Sequence, residues 1–125
     1  MNDLEEKLKQ LKIEDFIWLI YIFIIFLSWY SNGLEKKYFV FKDNNAKEKY
    51  QTIMKFIFLI LIFVYLYFFN DSFSDYINLK NTDSEKKKRL VTLSMIASFL
   101  ILISGFIFLY IAYEDNDLSV ELAFN

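Results

Sequence analysis

A continuous apolar segment near the carboxyl end limits the folds that are open to this chain. Residues 90–113 read LVTLSMIASFLILISGFIFLYIAY and contain no Asp, Glu, Lys or Arg. A helix needs about 20 such residues to cross the hydrocarbon of a bilayer, so this segment is long enough to span a membrane. Thr82 and Glu85 have the spacing of a capping box, which predicts a helix over residues 83–113.

Two shorter apolar runs precede this segment, FIWLIYIFIIFLSWY at residues 16–30 and FIFLILIFVYLYFF at residues 56–69. Neither run has the one-sided polarity of a helix at the surface of a soluble protein. A buried core helix or strand of a soluble domain is the alternative interpretation for runs of this length.

Helix-end signals lengthen both short runs. Asp3 with Glu6 has capping-box spacing, and the Asn32-Gly33 pair is a typical helix stop, so the first helix is expected at about residues 4–30. Asn45 with Glu48 can cap a second helix at about residues 46–69.

Together these segments predict an all-α integral membrane protein, a small bundle of three long transmembrane helices. Residues 1–125 are expected to form a single membrane domain that ends in an acidic tail, residues 114–125. The first helix carries an amphipathic N-terminal extension, because Leu4, Leu8 and Leu11 share one helical face and charges occupy the others. That extension is expected to lie on the membrane surface, pack on the third helix or bind a partner.

The densest positive charge of the chain stands directly before its longest apolar segment, at Lys86, Lys87, Lys88 and Arg89. Cations at the start of a helix oppose the helix dipole, so their partners are expected outside the chain. Anionic lipid headgroups on the cytoplasmic face are the predicted partners, and the four cations serve as a topology anchor. A nucleic-acid partner is not expected, because it needs a wider basic surface than one helical turn.

Charge counts also predict the orientation. With three spans, the N-terminal segment and residues 70–89 share one side and carry eight Lys and Arg residues, against six on the other side. The positive-inside rule therefore places the N-terminus in the cytoplasm of a multi-pass protein of the cell membrane and the C-terminus outside. This near balance also permits insertion in both orientations.

Small residues are concentrated in the third apolar segment. In lipid, helices associate through close approach over small side chains and through hydrogen bonds. These residues therefore predict a helix-packing seam, either within one bundle or between copies in a homo-oligomer: Ser94, Ala97, Ser98, Ser104, Gly105 and Ala112.

The residues that usually perform catalysis are missing from the sequence. The chain has no His and no Cys, and its apolar runs contain no carboxylate. We therefore predict no catalytic, cofactor-binding or metal-binding residue and no enzymatic activity. The expected partners are the lipid bilayer, another membrane protein and further copies of the chain.

Three functions remain open on this architecture, and the sequence contains no family motif that selects one of them. The first is a small membrane accessory or interaction protein, like an immunity or regulatory protein, without catalysis. The second is an oligomeric pore-former like a holin or toxin, which suits the small-residue stripe, although the acidic tail counts against it. The third is a small antiparallel transporter, for which a central ionisable residue is missing.

Overall fold

The computed structural model describes residues 2–122, and this part of the chain contains three α-helices and no β-strand. Helix α1 is Asn2–Phe41, α2 is Asn44–Ile77 and α3 is Glu85–Glu114. At 1.5 Å per residue, these helices are about 60, 51 and 45 Å long. The prediction of an all-α chain with three long helices is confirmed. Helices α2 and α3 are long and apolar enough to cross a membrane.

Helix α1 continues through the predicted stop at Asn32-Gly33 and ends eight residues later, at Phe41. Gly33 does not adopt a positive φ. One glycine costs a helix only about 1 kcal/mol, and the good helix formers that follow it offset this cost. The residue that follows the helix, Lys42, instead has a φ of 55°, and its backbone N–H donates to the Tyr38 carbonyl at 2.8 Å, which closes the helix end.

The predicted N-terminal caps of α1 and α2 are wrong. Helix α1 already includes Asn2, so Asp3 lies inside its first turn and does not precede the helix. Helix α2 is capped by Asp43 and not by Asn45. The Asp43 carboxylate accepts from the Asn45 and Ala46 backbone N–H groups at 3.0 and 3.3 Å. Asp43 directly precedes the helix, where a side-chain oxygen reaches these N–H groups, whereas Asn45 already lies in the first turn.

The far end of α2 was also predicted too early. The helix passes Phe69 and ends at Ile77, eight residues later. Residues 70–77 contain neither Gly nor Pro, so nothing in them stops a helix. Phe73 follows Phe69 at helical spacing and stacks on it with ring centroids 5.8 Å apart.

Helix α3 begins two residues later than predicted. Its N-cap is Ser84, whose hydroxyl accepts from the Lys87 backbone N–H at 3.1 Å. Thr82 lies in the preceding turn, which Asp83 closes by accepting from the Lys80 backbone N–H at 2.8 Å. The helix ends at Glu114, one residue beyond the predicted end.

The acidic tail begins with a turn held by Asp115. Its carboxylate accepts from the backbone N–H groups of Ser119 and Val120, both at 3.1 Å. Leu118 in this turn has a φ of 53° and is buried, as is Leu122. Residues 123–125 of the predicted tail lie outside the described residues.

The described residues form two compact units, residues 2–54 and residues 55–122, and α2 is continuous across their boundary. In the first unit, Ile17, Ile24 and Ser31 are buried at intervals of seven along α1, which is a heptad spacing. The Ser28 and Ser31 hydroxyls are buried there and have no hydrogen-bond partner within residues 2–122. The leucines of the N-terminal extension, Leu4, Leu8 and Leu11, are exposed.

Candidate functional site

The candidate site is the contact between α2 and α3 inside residues 55–122. Contacts run in reverse order along the two helices, from Lys55 with Tyr113 at one end to Ser72 with Ser94 at the other. The two helices are therefore antiparallel. Two aromatic pairs lie between these ends: Phe58 with Phe108, and Phe69 with Phe99.

Three hydroxyl groups meet at one end of this seam. The Ser72 and Ser98 oxygens are 2.9 Å apart, and the Ser72 and Ser94 oxygens are 3.5 Å apart. A hydroxyl can donate one hydrogen bond and accept two, so Ser72 can serve both α3 serines at once. This serine cluster, Ser72, Ser94 and Ser98, links the two helices by polar contacts.

Close packing over a glycine replaces hydrogen bonds in the middle of the seam. Gly105 is buried, and a Cβ atom placed on it would lie 3.0 and 3.3 Å from two ring carbons of Tyr65. It would also lie 3.4 Å from the Ile62 side chain. Gly105 therefore allows the Tyr65 ring to lie directly on the α3 backbone, where a larger residue would force the helices apart.

The remaining predicted seam residues do not all lie at this contact. Ala112 is buried, whereas Ala97 and Ser104 are exposed. The Ser104 hydroxyl donates to the Leu100 carbonyl of its own helix at 2.9 Å. Leu102 is buried and was missed, although Ser98, Leu102, Gly105 and Ala112 follow a spacing of 4, 3 and 7. This heptad spacing was the sequence signal that could have identified Leu102.

Ser72 was missed for a different reason. It lies beyond the predicted end of the second helix, in a stretch that reads as a polar loop. Helical geometry over residues 70–77 carries its side chain to the α3 serines. A pocket of about 160 Å³ adjoins this cluster and is lined by Ser72, Asp75, Leu90, Val91 and Ser94.

Lys55 lies at the opposite end of the seam from the serine cluster. Its ammonium group is 4.7 Å from the centroid of the Tyr113 ring, which is a cation–π distance. Tyr113 is the last residue of the uncharged segment of α3. Lys55, which directly precedes the apolar run of α2 in the sequence, thus contacts the end of the apolar segment of α3.

The four predicted anchor cations share the first turns of α3, and two of them have partners within the chain. Lys87 pairs with Asp83 at 3.2 Å, and Lys88 pairs with Glu85 at 3.5 Å. Lys88 also donates to the Asn81 carbonyl at 3.3 Å. Lys86 and Arg89 are exposed. Surface pairs of this kind contribute little to stability, typically below about 1 kcal/mol. Asp83 and Glu85 offset two of the four positive charges, and the exposed Lys86 and Arg89 keep this end of α3 positive.

Asp83 is the best-connected carboxylate at this end of α3. The pKa of its carboxyl group is lowered, first because the Lys80 backbone N–H donates to it and then because the Lys87 ammonium does. The carboxylate therefore stays ionised while it closes the turn before α3 and pairs with one of the four cations.

The contact between α2 and α3 is suited to holding two helices together, and the four anchor cations place positive charge at the surface. Within residues 2–122, no group of three or more His, Cys, Asp or Glu side chains is placed to hold a metal ion. In comparisons with protein-family models, curated proteins and solved structures, no match to this chain was found.

Proposed function

We propose that the chain is a non-catalytic accessory protein of the cell membrane that spans the bilayer three times and contacts another membrane protein. Exposed apolar surface on long helices carries this proposal. Only 33% of the apolar 18-residue window of α2 and 17% of that of α3 are buried. A core helix of a soluble domain buries most of such a window, whereas lipid can cover what these helices leave exposed.

The third span is α1. Residues 16–34 contain no charged residue, and the helix runs unbroken through all 19 of them. Their length is about 28 Å, close to the thickness of bilayer hydrocarbon. Most of their large side chains are exposed, including Phe16, Trp18, Phe23 and Trp29.

The residues at the ends of the helices support an orientation with the four anchor cations on the cytoplasmic side of the membrane. Lys86 and Arg89 point into solvent at the start of α3, where anionic headgroups of the inner leaflet would attract them. Lys55 and Tyr113 meet at the opposite end, where a half-wet tyrosine and a snorkelling lysine are stable. The C-terminal tail then lies outside.

Two features favour an accessory role over a pore. The small residues Ser98 and Gly105 contact α2 of the same chain, so the seam of α3 has a partner without a second copy. The exposed leucines of α1, Leu4, Leu8 and Leu11, then remain available to a partner protein beside the membrane.

Expression in bacterial cells tests both parts of the proposal. The protein should stay in the membrane fraction after extraction with alkaline carbonate, and moderate expression should leave the membrane potential unchanged. Release by carbonate would contradict membrane insertion. Collapse of the potential would instead support the pore, and Gly105→Leu would then show whether the α3 seam builds it.

A further inference from the structure

One face of α1 forms an open apolar groove that ends at a cation. The groove has a volume of about 390 Å³ and lies entirely within the first unit. Its lining residues recur at helical spacing on one face of residues 26–37: Phe26, Trp29, Tyr30, Gly33, Leu34 and Lys37.

Gly33 gives this groove its floor. Apart from its chain neighbours and the backbone of its own helix, a Cβ atom at Gly33 would have no atom within 4 Å, so the space above the backbone is open. Trp29 and Tyr30 stand one turn away and are 75% and 57% exposed, so both rings form walls of the groove that are largely open. An extended apolar chain can therefore lie along the backbone between aromatic rings.

The position of the groove along α1 suits a molecule with an apolar tail and a charged head. Phe26 lies inside the uncharged segment 16–34, and Lys37 follows that segment by three residues. The distance between them along the helix is about 16 Å, with the two wall aromatics at the level where Trp and Tyr favour headgroups.

The charge at the polar end is positive. Lys37 takes part in no ion pair within the described part of the chain. Residues 31–55, the segment that the proposed topology places on this side of the membrane, carry six lysines against three carboxylates, so the net charge of the segment also favours an anion. A second copy docked by the same face at the same depth would bring its own Lys37 against this one, and like charges disfavour that contact.

We propose that this groove binds one anionic phospholipid, with an acyl chain along Phe26, Trp29 and Gly33 and the phosphate at the Lys37 ammonium. The inference rests on the proposed insertion of α1 in the membrane. It adds a lipid-binding site on the side of the bilayer opposite the four anchor cations.

Native mass spectrometry of the detergent-solubilised full chain tests this site. Phosphatidylglycerol and phosphatidylcholine are supplied in equal amounts, and the lipid-bound fractions are compared. One well-placed ammonium near a lipid phosphate should favour the anionic lipid about fivefold. Lys37→Gln should abolish this preference, and Gly33→Leu should remove most bound lipid of both kinds.

Matched controls lie next to each altered residue. Lys36 and Asn32 are exposed and outside the groove, so Lys36→Gln and Asn32→Leu should bind lipid as the wild type does. Circular dichroism confirms that all variants keep their helix content. Equal binding of the two lipids by the wild type, or an unchanged preference in Lys37→Gln, would overturn the site.

The same mass spectra also detect the alternative occupant of the groove, a second copy of the chain. If Gly33→Leu removes a dimer peak and leaves bound lipid unchanged, the groove receives a second copy and the lipid proposal is wrong. Failure of the membrane proposal has a separate signature, which is release of the wild-type chain by alkaline carbonate. A chain that resists carbonate but shows no lipid preference would overturn the groove alone.

Discussion

Helices α1 and α3 carry the same kinds of small residue in opposite surroundings. On α3, Ser98 is hydrogen-bonded to Ser72 and Gly105 lies under the Tyr65 ring. On α1, the Ser31 hydroxyl is buried without a partner in residues 2–122, and the space above Gly33 is open. A serine in an apolar helix therefore forms a hydrogen bond between helices only when a second helix supplies the matching group, as Ser72 does for Ser98.

Replacing each glycine by leucine should give the largest contrast between the two helices. Gly105→Leu should lower the free energy of unfolding by about 1–3 kcal/mol, because the new side chain must push Tyr65 and Ile62 away. Gly33→Leu meets no neighbour and improves helix propensity, so it should match or exceed the wild type. Unfolding by SDS in mixed micelles measures both variants. Equal stability of the two variants would show that the α2–α3 contact at Gly105 is not formed.

Serine-to-alanine changes should lower the free energy of unfolding at the α2–α3 contact but not on α1. Ser72→Ala removes hydrogen bonds to two α3 serines, which in membrane helices average about 0.6 kcal/mol each, so a loss near 1 kcal/mol is expected. Ser31→Ala removes a buried hydroxyl that has no hydrogen-bond partner within residues 2–122, and this change should be neutral or stabilising. The same SDS titration reads both variants.

Ser104→Ala serves as a second control within α3, since that hydroxyl bonds only to its own helix and is exposed. A double-mutant cycle of Ser72→Ala with Ser98→Ala should show coupling near 0.6 kcal/mol. No coupling would mean that the 2.9 Å contact between these hydroxyls does not stabilise the fold.

The cap of α3 should affect only the serine end of the seam. Ser84→Ala removes the acceptor of the Lys87 backbone N–H and should destabilise the start of the helix by up to about 1 kcal/mol. Hydrogen exchange should speed up over residues 85–90 and stay unchanged around Gly105. Thr82→Ala, in the turn before the helix, should leave both regions as they are. If Thr82→Ala speeds up exchange over residues 85–90 and Ser84→Ala does not, Thr82 caps the helix, as the sequence predicts.

Acidification should produce the smallest effect, at the same end of α3. Because the pKa of Asp83 in the fold is lower than its usual 3.8, the turn is stabilised above that value. This stabilisation is lost as the pH falls through the lowered pKa. The NMR shift of the Lys80 amide should follow this titration with a midpoint below 3.8 and should not titrate in Asp83→Asn. A midpoint at or above 3.8 would contradict the hydrogen bonds assigned to this carboxylate.

The sequence predicts the helices well because their apolar content is continuous. Three segments with few charges and no proline leave little choice but helix, and all three helices are found. Helix ends were harder to predict. Gly33 and the polar residues after Phe69 read as stops, yet each costs a long helix too little to end it.

The candidate site was predictable on one helix only. The stripe on α3 is visible as spacing in the sequence, including Ser98, Gly105 and Ala112. The partner residues on α2 carry no such mark, because Tyr65 is one of many aromatics and Ser72 lies in an apparent loop. Which residues meet depends on the register of two antiparallel helices, and a single sequence contains no direct signal for that register.

Labelling of single cysteines in intact cells tests the three-span arrangement most directly, since the chain contains no cysteine of its own. Asn45 lies in the first turn of α2, Thr82 in the connection before α3 and Asn116 in the tail; all three are exposed, and none of their side chains caps a helix. With an impermeant maleimide, cysteines at 45 and 116 should be labelled, and a cysteine at 82 should react only after the cells are opened. Equal labelling at 45 and 82 would mean that α2 does not cross the membrane in one orientation, which would contradict this arrangement.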